Sequence, residues 1–411
     1  MKRFVLLVAS IAVAALLNGC SNKSDSAEAP PDFSVVAGDS TVTLTWTAAP
    51  EVEYWVFYAT GSNVTTANWL SLGGSALQRV TSPYTVGGLT NGTVYSFTIN
   101  GRRNGGPGGP GAPTKVATPR MAGTTWVVGT PLGTGRLNGV AALPSANVIV
   151  GSGGSIYASI NAGATTAQTN PTAPADLNAV VYIGLTFVAV GAAGTAVSSP
   201  DATTWTARTT GVVTDLYGIA SPGTGTVAAV GAGGAIVTSA DGTTWTAQTS
   251  GTTKNLRAVV YGAARYVAVG AAGTIVTSTD GTTWQVVAAN TANDLRGIAF
   301  GTRTTTTGTG TAATTVTTNT FVAVGATGTV LTSNDGLTWT VRTPISTNTL
   351  NSVTFGGQYV VVGNAGSIHT SLDGITWQTQ VSGTTNDLAA VSRTAGGYLA
   401  VGAAGTNLTS F

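Results

Sequence analysis

Along this chain, apolar side chains come in short runs separated by turn-forming residues. Thr41-Val42-Thr43-Leu44-Thr45-Trp46 alternates strictly, and Val52 to Ala59 and Val94 to Asn100 are further runs of strand length. A period of two marks a half-buried strand, and no stretch shows the spacing of an amphipathic helix. Beyond residue 121 the isolated runs give way to a repeat. A Leu-x-x-(Val/Ile) step recurs at Leu137, Leu177, Leu216, Leu256, Leu295, Leu350 and Leu388, at intervals of 40, 39, 40, 39, 55 and 38 residues. Each step leads into an apolar run such as Phe187 to Gly191, then a Gly-x-(Ile/Val) segment, then a turn ending in Trp.

Four short strands in each period of about 40 residues make one blade of a β-propeller, so seven blades are predicted. The turn carries its own pattern, Ser239-Ala240-Asp241-Gly242-Thr243-Thr244-Trp245. It recurs around Asp280 and Trp284, Asp335 and Trp339, and Asp373 and Trp377, and around Asp201 and Trp205 with Ala202 in place of the glycine. The pattern resembles the Asp-box (BNR) of sialidase-like and sortilin-like propellers, and the repeat resembles the propellers of photosystem assembly factors. An Asp in a tight hairpin accepts backbone N–H groups, Gly takes the positive-φ position, and the indole buries a large apolar face. These ten residues therefore read as structural. In the first repeat, Ser159 to Thr166 has lost both the Asp and the Trp. The last repeat stops at Thr409-Ser410-Phe411, before its Trp strand, while a spare one, Gly123 to Trp126, precedes the first. The expectation is a ring closed by an N-terminal strand. The long interval holds a Thr-rich insertion, roughly 302–320, expected to be a disordered loop on the bottom face.

Residues 32–118 resemble a fibronectin type III domain. Trp46 falls where that family has its core Trp, and Leu89 to Tyr95 resembles the tyrosine corner, with the Tyr95 hydroxyl tied back to backbone. Before it, residues 21–31 are small, polar and Pro-ended, which predicts a flexible tether. The fold class expected is all-β: a fibronectin type III-like sandwich, then a seven-bladed propeller over 121–411.

The first twenty residues bear on location. Lys2 and Arg3 precede an uncharged run from Phe4 to Leu17, shorter than the ~20 residues of a membrane span. Leu17-Asn18-Gly19-Cys20 resembles a lipobox, which implies a cleaved signal peptide, a lipid on Cys20 and a membrane anchor. Ser21 in place of Asp favours the outer membrane by the sorting pattern of that family. Cys20 is the sole cysteine, so no disulfide framework is available to an exported fold.

Only 8% of residues are charged and the net charge is +2, which excludes the clustered basic surface of a nucleic-acid binder. Residues 121–411 hold nine Asp, no Glu and one His. The missing Glu breaks a sialidase scheme, and a lone His369 removes multi-histidine metal sites; no metal and no cofactor is expected. Four aspartates lie outside the Asp-boxes: Asp176, Asp215, Asp294 and Asp387, each just before the repeating Leu, with Asn255 in the same slot. The residues just after that Leu are Asn138, Asn178, Tyr217, Arg257, Arg296, Asn351 and Ala389. Either each Asp caps its own turn, or the set forms a polar collar at the channel. From the collar, Asp176, Asp215, Tyr217, Arg257, Asp294 and Arg296 are the candidate binding residues. The expected protein is a monomeric, non-enzymatic lipoprotein that binds a protein or glycan through the propeller top. The alternatives are a glycan-active hydrolase, or an assembly factor for an envelope complex.

Overall fold

The computed structural model describes residues 26–410, apart from Ala162, Thr224 and 308–313. Cys20, the expected signal peptide and residues 21–25 of the expected tether lie outside the described residues. The chain divides into two compact units at Met121 and Ala122.

The first unit is a β-sandwich. One sheet contains Glu53–Thr60, Tyr95–Arg102, Ser75–Val80 and Lys115–Ala117; the other contains Ser34–Gly38, Thr41–Thr45 and Tyr84–Val86. Both sheets feed one core, with Leu44 and Trp46 from one side and Val56, Phe97 and Ile99 from the other. Trp46 meets the Tyr54 ring edge-on at 5.7 Å. The Tyr95 hydroxyl accepts the Thr90 N–H at 3.1 Å, completing the corner. The tether reading needs a correction. Ser26–Ala27 pairs with Arg102 and Gly101, so this part of the segment belongs to the sheet. A two-residue ladder is too short to leave a period in the sequence.

The second unit is seven four-stranded sheets, here blades 1–7 in order of their innermost strands, with strands A to D running outward. Blade 7 is built from both ends of the unit. Leu388–Arg393, Tyr398–Gly402 and Asn407–Ser410 are joined by Trp126–Val128, which pairs Ser410 with Trp126 and Leu408 with Val128. The three ladders of blade 7 are then complete, and strand C is not left as the open edge of the closing blade.

Blades adhere through apolar faces. Strand B, as in Val227–Gly231 or Tyr359–Gly363, is buried throughout, because it faces a neighbour on both sides. Where a blade has a box Trp, it lies against the preceding blade: Trp205 packs with Val148 and Ala158, Trp284 with Ala228 and Val230, and Trp339 with Val267 and Val269. Between blades 7 and 1, where the first repeat lacks its Trp, the buried core is the small cluster Leu137, Ile149, Leu399 and Val401, with Leu132, Val140, Tyr157 and Ala390 packed against it.

The Thr-rich insertion is not a loop. Leu295–Thr307 and Thr314–Gly325 pair without interruption from Gly297–Val324 to Thr307–Thr314, an arm that continues the A–B hairpin of blade 5. β-Branched Thr favours the extended backbone, and cross-strand hydroxyls meet, Thr302 to Asn319 at 3.0 Å and Thr304 to Thr317 at 3.3 Å.

Candidate binding mouth at the central channel

Strand A of every blade carries a register shift at one place: between Leu137 and Gly139, Leu216 and Gly218, Leu256 and Ala258, and likewise around the ring. A bulge leaves the intervening residue out of the ladder and re-aims its side chain. The residues so released are Asn138, Asn178, Tyr217, Arg257, Arg296, Asn351 and Ala389, and they line a cavity of about 180 Å³. The residue after each bulge sits where neighbouring inner strands nearly touch. A Cβ on Gly218 would lie 2.9 Å from the Ala258 Cα, so the site has no room for a side chain and the inner strands stay close.

The collar divides into a rigid half and a charged half. Asn138, Asn178 and Asn351 each donate an amide N–H to the Leu carbonyl of the next blade (Leu177 at 3.0 Å, Leu216 at 2.9 Å, Leu388 at 2.8 Å). Opposite in character, Arg257 sets its guanidinium 4.9 Å from the centre of the Tyr217 ring. The Tyr217 hydroxyl donates to Asp215 at 3.4 Å. Burial, with the Asp215 charge behind it, pushes the Tyr217 phenol up, and the Arg257 charge works against them. Arg296 is exposed and has no hydrogen bond or ion pair among the described residues. Arg79 and Glu53 form an ion pair in the sandwich, at 3.1 Å.

The four non-box aspartates do something sequence reading did not anticipate. Asp215 accepts the Ala193 N–H at 2.9 Å, Asp294 that of Ala272 at 2.9 Å, Asp387 that of Ala365 at 2.9 Å and Asp176 that of Gly153 at 2.7 Å. Asn255 takes the Gly233 N–H in the same way. Each donor belongs to the B–C turn of the preceding blade and lies at positive φ, as at Ala272 with φ 51. The aspartate's main-chain carbonyl meanwhile accepts from its own blade, Asp215 from Ala232 and Asp294 from Ala326. These side chains therefore latch blade to blade rather than cap their own turns. None lines the cavity. Of the six sequence candidates, the structure gathers Tyr217, Arg257 and Arg296, with Asp215 at the rim, and assigns Asp176 and Asp294 to latches. The three collar asparagines complete the wall.

The Asp-box acids lie away from the channel, in the C–D hairpins. Asp280 accepts the Thr282 and Thr283 N–H groups, each at 2.8 Å, and the Ser278 hydroxyl at 2.9 Å. Asp201, Asp241, Asp335 and Asp373 repeat this. The N–H groups of Thr283 and Thr282 hold the Asp280 carboxyl far below the usual range, and that of Thr338 draws Asp335 down to about 2. Trp205, Trp284, Trp339 and Trp377 donate their indole N–H to the carbonyl three residues back, Trp284 to Gly281 at 2.8 Å. The Trp245 indole nitrogen is buried without a partner among the described residues. His369 is buried in strand C of blade 6, its Nδ1 3.2 Å from the Thr379 hydroxyl, and burial lowers its pKa. Among the described residues no His, Cys, Asp and Glu group could hold a metal.

Comparison with known proteins accords with both units. Residues 28–117 match the fibronectin type III domain. No curated protein matches the chain at the sequence level. Among solved structures, YCF48 bound to D1 peptide is similar at 17% identity and a TM-score of 0.52, covering 69% of this chain and 96% of its own. YCF48 from Cyanidioschyzon merolae is similar at 16% identity and a TM-score of 0.52, with 69% and 98% covered. Virginiamycin B lyase from Staphylococcus aureus reaches a TM-score of 0.57 at 11% identity, with 70% and 99% covered. At these identities the likeness is one of fold.

Proposed function

We propose that this chain is a non-enzymatic, lipid-anchored envelope protein that binds a polypeptide partner at the channel mouth of its propeller. The observation that carries the reading is the charged half of the collar, where Arg296, beside the Arg257–Tyr217 pair, has no hydrogen bond or ion pair among the described residues. A guanidinium left open on a rigid wall costs little to desolvate onto a carboxylate or carbonyl, and an aromatic ring beside it takes an apolar side chain. Asparagine amides already tied to backbone keep the opposite wall in place. YCF48, a propeller of similar fold, has been solved with a peptide bound, which supports a polypeptide over other ligands. The lipobox at Cys20 and the following Ser21 support the anchor and an outer-membrane location.

The test is the double variant Arg257→Ala with Arg296→Ala. It should abolish cross-linked capture of the partner from envelope fractions while the melting temperature barely moves. Undiminished capture would remove the channel mouth as the site. Cys20→Ala should release the protein to the soluble fraction or leave its precursor uncleaved; an unchanged, lipid-free membrane pool contradicts the anchor.

A further inference from the structure

The hairpin arm of blade 5 overhangs blade 6 and creates a cleft of about 280 Å³. On the arm side are Arg303, Thr318 and Thr320, with Arg342 just after strand D (Thr340–Val341); on the blade 6 side are Phe355, Tyr359, Leu372 and Ile375. The register places Arg303 opposite Thr318 and Gly301 opposite Thr320, so these residues share the face turned to blade 6. Arg303 is exposed and has no hydrogen bond or ion pair among the described residues. Arg342 spends its Nε on the Thr332 hydroxyl at 2.8 Å, which fixes the guanidinium in place. The one acid in the cleft, Asp373, already accepts from Ile375, Thr376 and Ser371, each within 2.9 Å. The wall therefore presents two cations against one carboxylate, whose three accepted bonds all fall on Oδ1.

The opposite wall is apolar where the fold does not require it. Leu372 and Ile375 flank the Asp-box of blade 6 and are 40% and 51% exposed. The same two places hold Ala240 and Thr243 in blade 3 and Thr279 and Thr282 in blade 4, so the turn itself is indifferent to them. Only blade 6, the one beneath the arm, carries large apolar residues at both. Behind them the Phe355 and Tyr359 rings pack at 4.8 Å, and the Tyr359 hydroxyl is committed to the Thr320 carbonyl at 2.6 Å.

We propose that this cleft binds a small amphiphilic carboxylate, an aryl or alkyl chain ending in one anionic group. The acid pairs with Arg303 and Arg342, and the chain lies on Leu372, Ile375 and Phe355. Its volume is near the lower end of ligand sites, which suits an aryl-alkyl acid rather than a polymer. The site is separate from the channel mouth.

Calorimetric titration of the full chain with 4-phenylbutyrate and with 4-phenylbutanol tests this. Saturable binding of the acid is expected, with the alcohol about tenfold weaker or more. Arg303→Gln and Leu372→Thr should each weaken the acid while melting temperature is unchanged. The channel variant Arg257→Ala with Arg296→Ala should bind it as the parent does. The proposal is overturned if the acid does not bind, if the alcohol binds equally well, or if both cleft variants bind the acid undiminished.

Discussion

Asp280 and Asp294 follow each other closely in sequence but hold different joints. Asp280 closes a hairpin inside blade 4, whereas Asp294 opens blade 5 and reaches back to the Ala272 N–H of blade 4. Losing the latch, as in Asp294→Ala, should cost about 1 kcal/mol in urea unfolding without touching partner capture. Trp284→Ala removes a buried indole from the junction between blades 3 and 4, and should cost about 3–5 kcal/mol. A wild-type melting curve would contradict the packing described. Two groups set the response to acid. The box carboxyls have folded pKa values below their unfolded value of about 3.9, so their stabilisation is present above that pH and is lost as pH falls toward the folded values, about 2 for Asp335. His369 works at higher pH. Its folded pKa lies below the unfolded value near 6.5, so the unfolded chain binds the proton first and stability falls as pH drops below that point. His369→Leu, the residue found at the equivalent Leu331, should flatten the curve just below about pH 6.5. An unchanged slope there would contradict a buried neutral imidazole.

Strand A shows how far an element can be read before folding. The Leu step fixed the period, and the place after each Leu was visible as a polar series from Asn138 to Asn351, broken only at Ala389. What turns that series into a wall is a bulge, a backbone event with no residue type of its own. The same applies to the aspartates: their slot was legible, but the partner is an N–H on another blade, which one period of sequence does not contain. The arm of blade 5 was misjudged for a different reason. Low complexity suggests disorder, while the property that mattered was the β-branched Cβ repeated on both strands of a hairpin. Since the arm extends beyond the ring, replacing 303–318 by an Asn-Gly turn should leave unfolding within about 1 kcal/mol of the parent and abolish binding of 4-phenylbutyrate. A large loss of stability would mean that the arm belongs to the core of the ring.

At the scale of the whole propeller, six junctions carry a Trp and the seventh, between blades 7 and 1, does not. That junction is bridged instead by the chain, since Trp126–Val128 completes blade 7 before the chain reaches blade 1. Sequence made this arrangement legible, because the last repeat lacks a Trp strand and a spare one precedes the first, and the pairing of Ser410 with Trp126 joins them. The ring in turn holds seven bulges in a circle, and the binding mouth is a property of that circle rather than of any blade. The most direct measurement is therefore made at the mouth in the intact protein. A photo-crosslinking amino acid is placed at Tyr217, and in a second variant at the exposed Val341 of blade 5. Adducts to a discrete polypeptide should form from position 217 and disappear when Arg257 and Arg296 are changed to Ala. An adduct from position 341 with none from 217 would contradict a partner seated at the channel.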